Sequence, residues 1–214
     1  MKRFFFVSLL LFLALLVIGS SWYLSKFSGK PESTLYNDVT DRNIKLVRKL
    51  NDQALAVKKF IVSNGYNKSI CFFVDMSIES GSNRFFVYDL QRDSVLQSGL
   101  VTHGRCNEDW LSGRRYGNSV GCGCTSLGKY KIGNSYKGRF GLAYKLHGLD
   151  STNNNAYRRY VVLHSHECVP NREVDPAPIC QSDGCPTVSS SYLKKLAEII
   201  DGSEKPVLLW IFAN

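Results

Sequence analysis

The sequence predicts a mainly β, α+β domain, a barrel or sandwich with peripheral helices, preceded by an N-terminal membrane helix. Three observations predict it. From residue 66 onward, short apolar runs bounded by turn residues outnumber helical patterns. The connections between those runs are mostly too short for βαβ crossovers. A long apolar segment follows Lys2-Arg3 at the amino terminus. At 214 residues one domain is the default, and 44% hydrophobic with 21% charged residues excludes a disordered chain, a collagen and a coiled coil. A formal charge of +9 suits an anionic neighbour without choosing among lipid, nucleic acid and wall polymer.

The apolar segment runs from Phe4 to Leu24, broken by Ser8, Gly19, Ser20 and Ser21. As a helix it would extend about 31 Å, roughly one bilayer core. Lys2 and Arg3 mark its cytoplasmic end, and Trp22 and Tyr23 stand where interfacial aromatics belong. Residues 1–24 therefore read as a signal anchor, or as a signal peptide cleaved near Ile18-Gly19-Ser20. No Cys lies near that point, which excludes a lipoprotein anchor. Either form exports the rest of the chain, so nucleic acid is not an expected partner. Oligomeric state is not readable.

Residues 25–40 are polar, with Gly, Pro and Ser, and read as a linker. Residues 41–65 read as an amphipathic helix packed on the domain. Asp41 is its cap, Ile44, Val47, Leu50, Ala54, Val57 and Ile61 its apolar stripe, and Asn64-Gly65 its stop. Residues 66–214 form the β-rich domain. Strands are predicted at Ile70–Asp75, Arg84–Asp89, Val95–Thr102, Lys129–Ile132, Arg139–Leu146, Tyr160–His164 and Val207–Phe212. Gly104–Thr125 reads as a long crosslinked loop, 167–181 as a second loop, and Ser189–Ile200 as a helix with Leu193, Leu196, Ala197 and Ile200 on one face.

Export changes how the seven cysteines read. Cys71, Cys106, Cys122, Cys124, Cys168, Cys180 and Cys185 are an odd set, so three disulfides would leave one thiol free. Cys122 and Cys124 stand too close to pair comfortably with each other. No pair of C-x-x-C hooks argues for zinc. A Cys168–Cys180 disulfide would stiffen the second loop.

Chemistry concentrates in Tyr160–Val188. An apolar strand delivers His164 at its end, and Ser182-Asp183-Gly184-Cys185 follows after the loop. A thiol nucleophile needs a base and donors for the oxyanion it creates. Gly184 allows a tight turn that would present the amide of Cys185, and the positive end of the following helix would favour the thiolate.

This run resembles the catalytic signature of the L,D-transpeptidases, the YkuD-like peptidoglycan enzymes, in which a His-Gly or His-Ser pair precedes S-x-G-C. The murein L,D-transpeptidase catalytic domain branch is also resembled upstream, in order, by Thr102-His103-Gly104, Thr125-Ser126-Leu127-Gly128-Lys129-Tyr130, Gly138-Arg139-Phe140-Gly141, Gly148-Leu149-Asp150 and Asn155-Ala156-Tyr157-Arg158-Arg159. The resemblance covers about residues 70–214. It implies a β-rich catalytic fold, Cys185 as nucleophile, His164 as base, Ser165 orienting the ring through its carbonyl, Gly184 in the oxyanion region and no cofactor or metal. Two positions depart from the commoner branch: Asp183 replaces a His or Arg, and Thr187 stands where Arg or Asn is usual. Arg158 or Arg159 is the substitute expected to hold a substrate carboxylate. Ser182, Asp183 and His166 are expected to line the cleft. His103 and His147 are weaker candidates for the base, because neither ends an apolar run.

The implied function is acyl transfer on peptidoglycan stem peptides, forming 3→3 crosslinks through a Cys thioester at the outer side of a bacterial membrane, or in the periplasm after cleavage. Two alternatives stay open: an L,D-carboxypeptidase or endopeptidase using the same site, and a non-catalytic, disulfide-stapled wall-binding protein.

Overall fold

The computed structural model describes residues 13–23 and 32–213. Residues 13–23 are helical (α1). Much of the apolar segment lies outside the described residues, and among those described no helix is long and apolar enough to cross a membrane. Helix α2 spans Glu32–Ser63. It starts well before the Asp41 cap, inside the segment read as a linker. It stops where expected, with Gly65 in the left-handed region at φ 71°. The sheet and everything below belong to the compact unit that begins at Arg48.

Eight strands follow: β1 (Ile70–Asp75), β2 (Phe85–Asp89), β3 (Ser94–Gly99), β4 (Gly128–Gly138), β5 (Gly141–Gly148), β6 (Val162–Ser165), β7 (Thr187–Val188) and β8 (Leu208–Phe212), with α3 (Ser190–Asp201) between the last two. They form one sheet in the order β3-β2-β1-β8-β4-β5-β6-β7, rather than two stacked sheets. β1 pairs parallel with β8 and β6 parallel with β7; the other pairs are antiparallel. The outer strands are drawn together by the chain that leaves β3. The Thr102 amide donates to Thr187 O at 2.9 Å and the Arg105 amide to Ser182 O at 2.8 Å, while the Ser182 amide donates to His103 O at 2.9 Å. This edge-to-edge joint gives the sheet its barrel character, and it is where the Ser182–Cys185 turn sits.

Alternation within the strands sends Phe72, Val74, Phe85, Val87, Tyr130, Tyr144, Leu163, Leu209 and Ile211 into one core, which α3 fills with Tyr192, Leu193 and Leu196. Each such side chain contributes about 1.5–3 kcal/mol by leaving water. Ser189 caps α3, its hydroxyl accepting from the Tyr192 amide. The α2 stripe is buried at Leu50, Ala54, Val57 and Ile61, whereas Ile44 and Val47 are exposed. Asn51 accepts from the Tyr88 hydroxyl at 2.6 Å, and Lys49 pairs with Asp75 at 2.7 Å, fixing that part of α2 on β1 and β2.

Two disulfides form, Cys106–Cys124 and Cys168–Cys180, consistent with an oxidising, extracytoplasmic compartment. The third expected disulfide does not form. Cys71 is buried in β1 and Cys122 packs beside the Cys106–Cys124 pair, so three thiols remain free, Cys185 among them.

Candidate active site

His164 and Cys185 line one cavity of about 470 Å³. A hollow of about 550 Å³ between residues 62–68 and 202–205 is lined by no Cys and no His. Strand β6 carries His164, and its parallel pairing with β7 sets His164 opposite Thr187, just beyond Cys185. His164 Nδ1 lies 3.1 Å from Ser165 O. A carbonyl only accepts, so Nδ1 carries the proton and Nε2 keeps its lone pair. Thr187 Oγ1 lies 3.1 Å from Nε2 and donates to it. Phe140 stacks on the imidazole, with centroids 5.0 Å apart. Burial holds His164 below the ordinary histidine range against the opposing pull of the Ser165 carbonyl, so the ring is neutral at pH 7.

The Ser182–Cys185 turn is held from several sides. Gly184 has φ 103°, and a Cβ there would meet Cys124 O at 2.5 Å. Ser182 Oγ accepts from the Gly184 amide at 3.2 Å and donates to Cys185 O at 2.7 Å; Thr102 and Thr187 hydroxyls lie 3.2 and 3.3 Å from the same carbonyl. The Gly184 N–H is thereby engaged. The Cys185 N–H has no acceptor among the described residues. The Cys185 thiol donates to Tyr160 O at 3.7 Å, and Tyr160 itself stands in the left-handed region at φ 56°.

Burial raises the Cys185 thiol above its ordinary pKa, partly offset by a hydrogen bond from the Val162 backbone amide and by the charge of Arg159. The expectation that a helix end favours the thiolate fails for a geometric reason. Strand β7 separates Cys185 from α3, whose first turn is capped by Ser189. At rest the cavity therefore holds a thiol turned to Tyr160 O and a neutral imidazole turned to the Thr187 hydroxyl.

The structure redistributes the expected clamp residues. Arg159 spends its guanidinium on Gly117 O at 2.9 Å, Cys124 O at 2.5 Å and the Ser126 hydroxyl, bracing the stapled loop beneath Gly184. Arg158 is exposed and lies outside the cavity lining. The cation at the cavity is Arg105, paired with Asp183 at 2.7 Å. Ser182, Asp183 and His166 line the cavity as expected, His166 accepting from the Cys168 amide at 3.1 Å. His147 stacks on Tyr157, and His103 sits behind the nucleophile turn; neither lines this cavity. Arg105, Thr102, Phe140 and Tyr160 were not singled out as site residues by sequence. The only sign of Thr102 and Phe140 was their place in the family-like motifs. Among the described residues no three His, Cys, Asp or Glu side chains gather as metal ligands would.

No curated protein matches the chain in sequence. Similar solved structures include one described as the Ldtfm-avibactam carbamoyl enzyme, at 14% identity and TM-score 0.44, covering 69% of this chain and 50% of that one. Another is the helical cell shape determining protein Pgp2 from Campylobacter jejuni, at 13% identity and TM-score 0.41, covering 70% of this chain and 50% of that one. The chain spans about half the length of these proteins. The model of the L,D-transpeptidase catalytic domain matches residues 43–210, and the chain belongs to that family.

Proposed function

We propose that the chain is an exported cysteine acyltransferase that forms 3→3 crosslinks between peptidoglycan stem peptides. The observation that supports the proposal is that His164, its tautomer set by the Ser165 carbonyl, shares one cavity with the free Cys185 thiol, and that its Nε2 is held at rest by nothing but a Thr187 hydroxyl that the thiol proton would displace. In the proposed sequence Cys185 Sγ attacks the carbonyl of the third, diamino residue of a donor stem while His164 Nε2 takes the thiol proton. The Cys185 N–H stabilises the oxyanion. The bond to the fourth residue breaks, His164 returns its proton to the leaving D-Ala amine, and a thioester remains. An amine of a second stem then attacks that thioester, His164 takes its proton, and the thiol is restored. Phe4–Leu24 would tether the enzyme to the outer side of the membrane, and the +9 charge would favour encounter with anionic wall material.

The test incubates the full chain with disaccharide tetrapeptide and follows D-Ala release and product mass. A crosslinked dimer of two tetrapeptides less one D-Ala is expected. Tripeptide without dimer would instead establish the carboxypeptidase reaction. Absence of both products, with no carbapenem adduct on Cys185, would leave the wall-binding alternative. Recovery of the cellular protein with membranes at full mass checks the anchor; a soluble form beginning near Ser20 would overturn it.

A further inference from the structure

A second cavity, of about 500 Å³, lies beside the first; its lining includes His103, Arg114, Tyr116 and Glu79, and it shares Trp110 and Gln181 with the catalytic cavity. Gln181 is fixed in that common wall by two hydrogen bonds to the Leu111 backbone, each 2.8 Å. His103 O accepts the Ser182 amide, so this cavity lies one strand's width from the nucleophile turn.

His103 is 6% exposed. Arg84 Nη2 lies 3.1 Å from its Nδ1, and a guanidinium only donates, so Nδ1 accepts and the proton sits on Nε2. That Nε2–H is buried and has no acceptor among the described residues. An orphaned donor of this kind costs roughly as much as a lost hydrogen bond and calls for a partner. The surrounding charge selects the partner's sign. Arg84 is fully buried, with its other contacts on Val101 O and Ile78 O and no salt bridge among the described residues. Arg114 faces a single carboxylate, Glu79, at 2.9 Å. Two guanidinium groups and one unfilled N–H face the exposed carboxylate of Glu79 and the buried one of Asp75, which Lys49 already pairs, and the balance makes a site for an acceptor that bears negative charge.

We propose that the His103 cavity binds a carboxylate of the second stem peptide, accepting from His103 Nε2–H and Arg114, with the peptide lying along Trp110 towards Cys185. This rests on the acyl-transfer reading above. Transfer needs two stems at once, each carries carboxylates, and the cavity that shares a wall with the catalytic one is placed to hold the one that attacks.

The test uses the full chain carrying Cys185→Ala, in detergent, with ¹⁵N-labelled histidine rings. Disaccharide tetrapeptide is expected to shift the Nε2 resonances of both His164 and His103 saturably, while the fully amidated tetrapeptide leaves His103 unmoved. Arg114→Ala should raise the half-saturation concentration at His103 by about tenfold, the worth of one charged hydrogen bond. If His164 moves and His103 does not, the second site is wrong and the function stands. If neither moves, the acyl-transfer reading fails with it. Acetate that shifts His103 at the same concentration as the tetrapeptide would mark an unspecific carboxylate pocket and overturn the proposal.

Discussion

His164 and His103 are buried to the same degree, 7% and 6% exposed, and burial lowers the pKa of both. Their chemistry is opposite because their Nδ1 partners are opposite. Ser165 O accepts from His164 and leaves a lone pair on Nε2; Arg84 donates to His103 and leaves a proton there. One ring presents a lone pair at Nε2 and the other an N–H, although both are neutral at pH 7. The comparison teaches that burial sets the charge of a histidine, while a single neighbour on the far nitrogen sets its role.

The largest effects should come from the base and its nucleophile. Cys185→Ala removes the atom that forms the thioester and should bring D-Ala release to background. His164→Ala keeps the thiol and loses its proton acceptor, so acylation by a carbapenem should slow by roughly 10²–10⁴-fold. A comparable acylation loss in His103→Asn would break the comparison, because the base would then not be confined to one ring. The double change His164→Ala with Cys185→Ala should be no worse than Cys185→Ala alone, since the two act as one unit.

Next comes the turn that aims the thiol. At φ 103° and 2.5 Å from Cys124 O, an added methyl at Gly184 strains the backbone and pushes the turn off the stapled loop. Gly184→Ala should cost about 1–3 kcal/mol of stability. It should also slow acylation by about 10²-fold, the usual penalty for misplacing a reacting group. Near-parent acylation in a folded Gly184→Ala chain would show that the Cys124 contact does not position Cys185.

Local pattern made much of the fold readable. Strand β1 lies where its apolar run predicted, α2 ends at the expected stop, and β6 delivers His164 at its end. The Cys168–Cys180 bridge closes a short loop and was legible for that reason. Arg105 and Thr102 were not legible as site residues, because they meet Asp183 and Cys185 only through pairing of residues 102–105 with 182–187, a contact between distant segments. Arg159 illustrates a different limit. Sequence shows its charge, but its role depends on three acceptors supplied by the 117–126 loop. The helix dipole argument for Cys185 failed because two residues of strand, too short to register as a pattern, separate the turn from α3.

The two histidines should also part company in acid. His103 is lowered to about 4, chiefly by burial and then by Arg84 and Arg114, against an ordinary value of 6.5. The unfolded chain therefore takes up this proton more readily than the folded one. Its stability contribution is complete above about pH 6.5 and is lost as the pH falls towards 4. Thermal melts across that window should show stability declining, and His103→Asn should flatten part of the slope. An unchanged slope would mean that His103 is already charged or exposed in the native protein. For Cys185, the raised thiol pKa predicts that alkylation keeps accelerating beyond pH 9.0, whereas a plateau near pH 6 would reveal a preformed thiolate.

The smallest effect should come from the hydroxyl that distinguishes the catalytic ring further. Thr187 Oγ1 lies 3.1 Å from His164 Nε2 and 3.3 Å from Cys185 O. While the ring is neutral the hydroxyl donates to Nε2. Once Nε2 has taken the thiol proton, the hydroxyl can turn its hydrogen to the Cys185 carbonyl and accept from the imidazolium instead. It thus serves both protonation states without moving a heavy atom. Thr187→Val removes the acceptor that the imidazolium needs, so the charged ring loses about one ordinary hydrogen bond. Acylation at pH 7 should slow by about three- to tenfold, and the acid limb of the pH–rate profile should move to lower pH because the His164 pKa falls further. Thr187→Ser, which keeps the hydroxyl, should restore both. A faster Thr187→Val enzyme would show instead that the hydroxyl only masks the base at rest, and an acid limb displaced upward would show that it stabilises the neutral ring over the charged one.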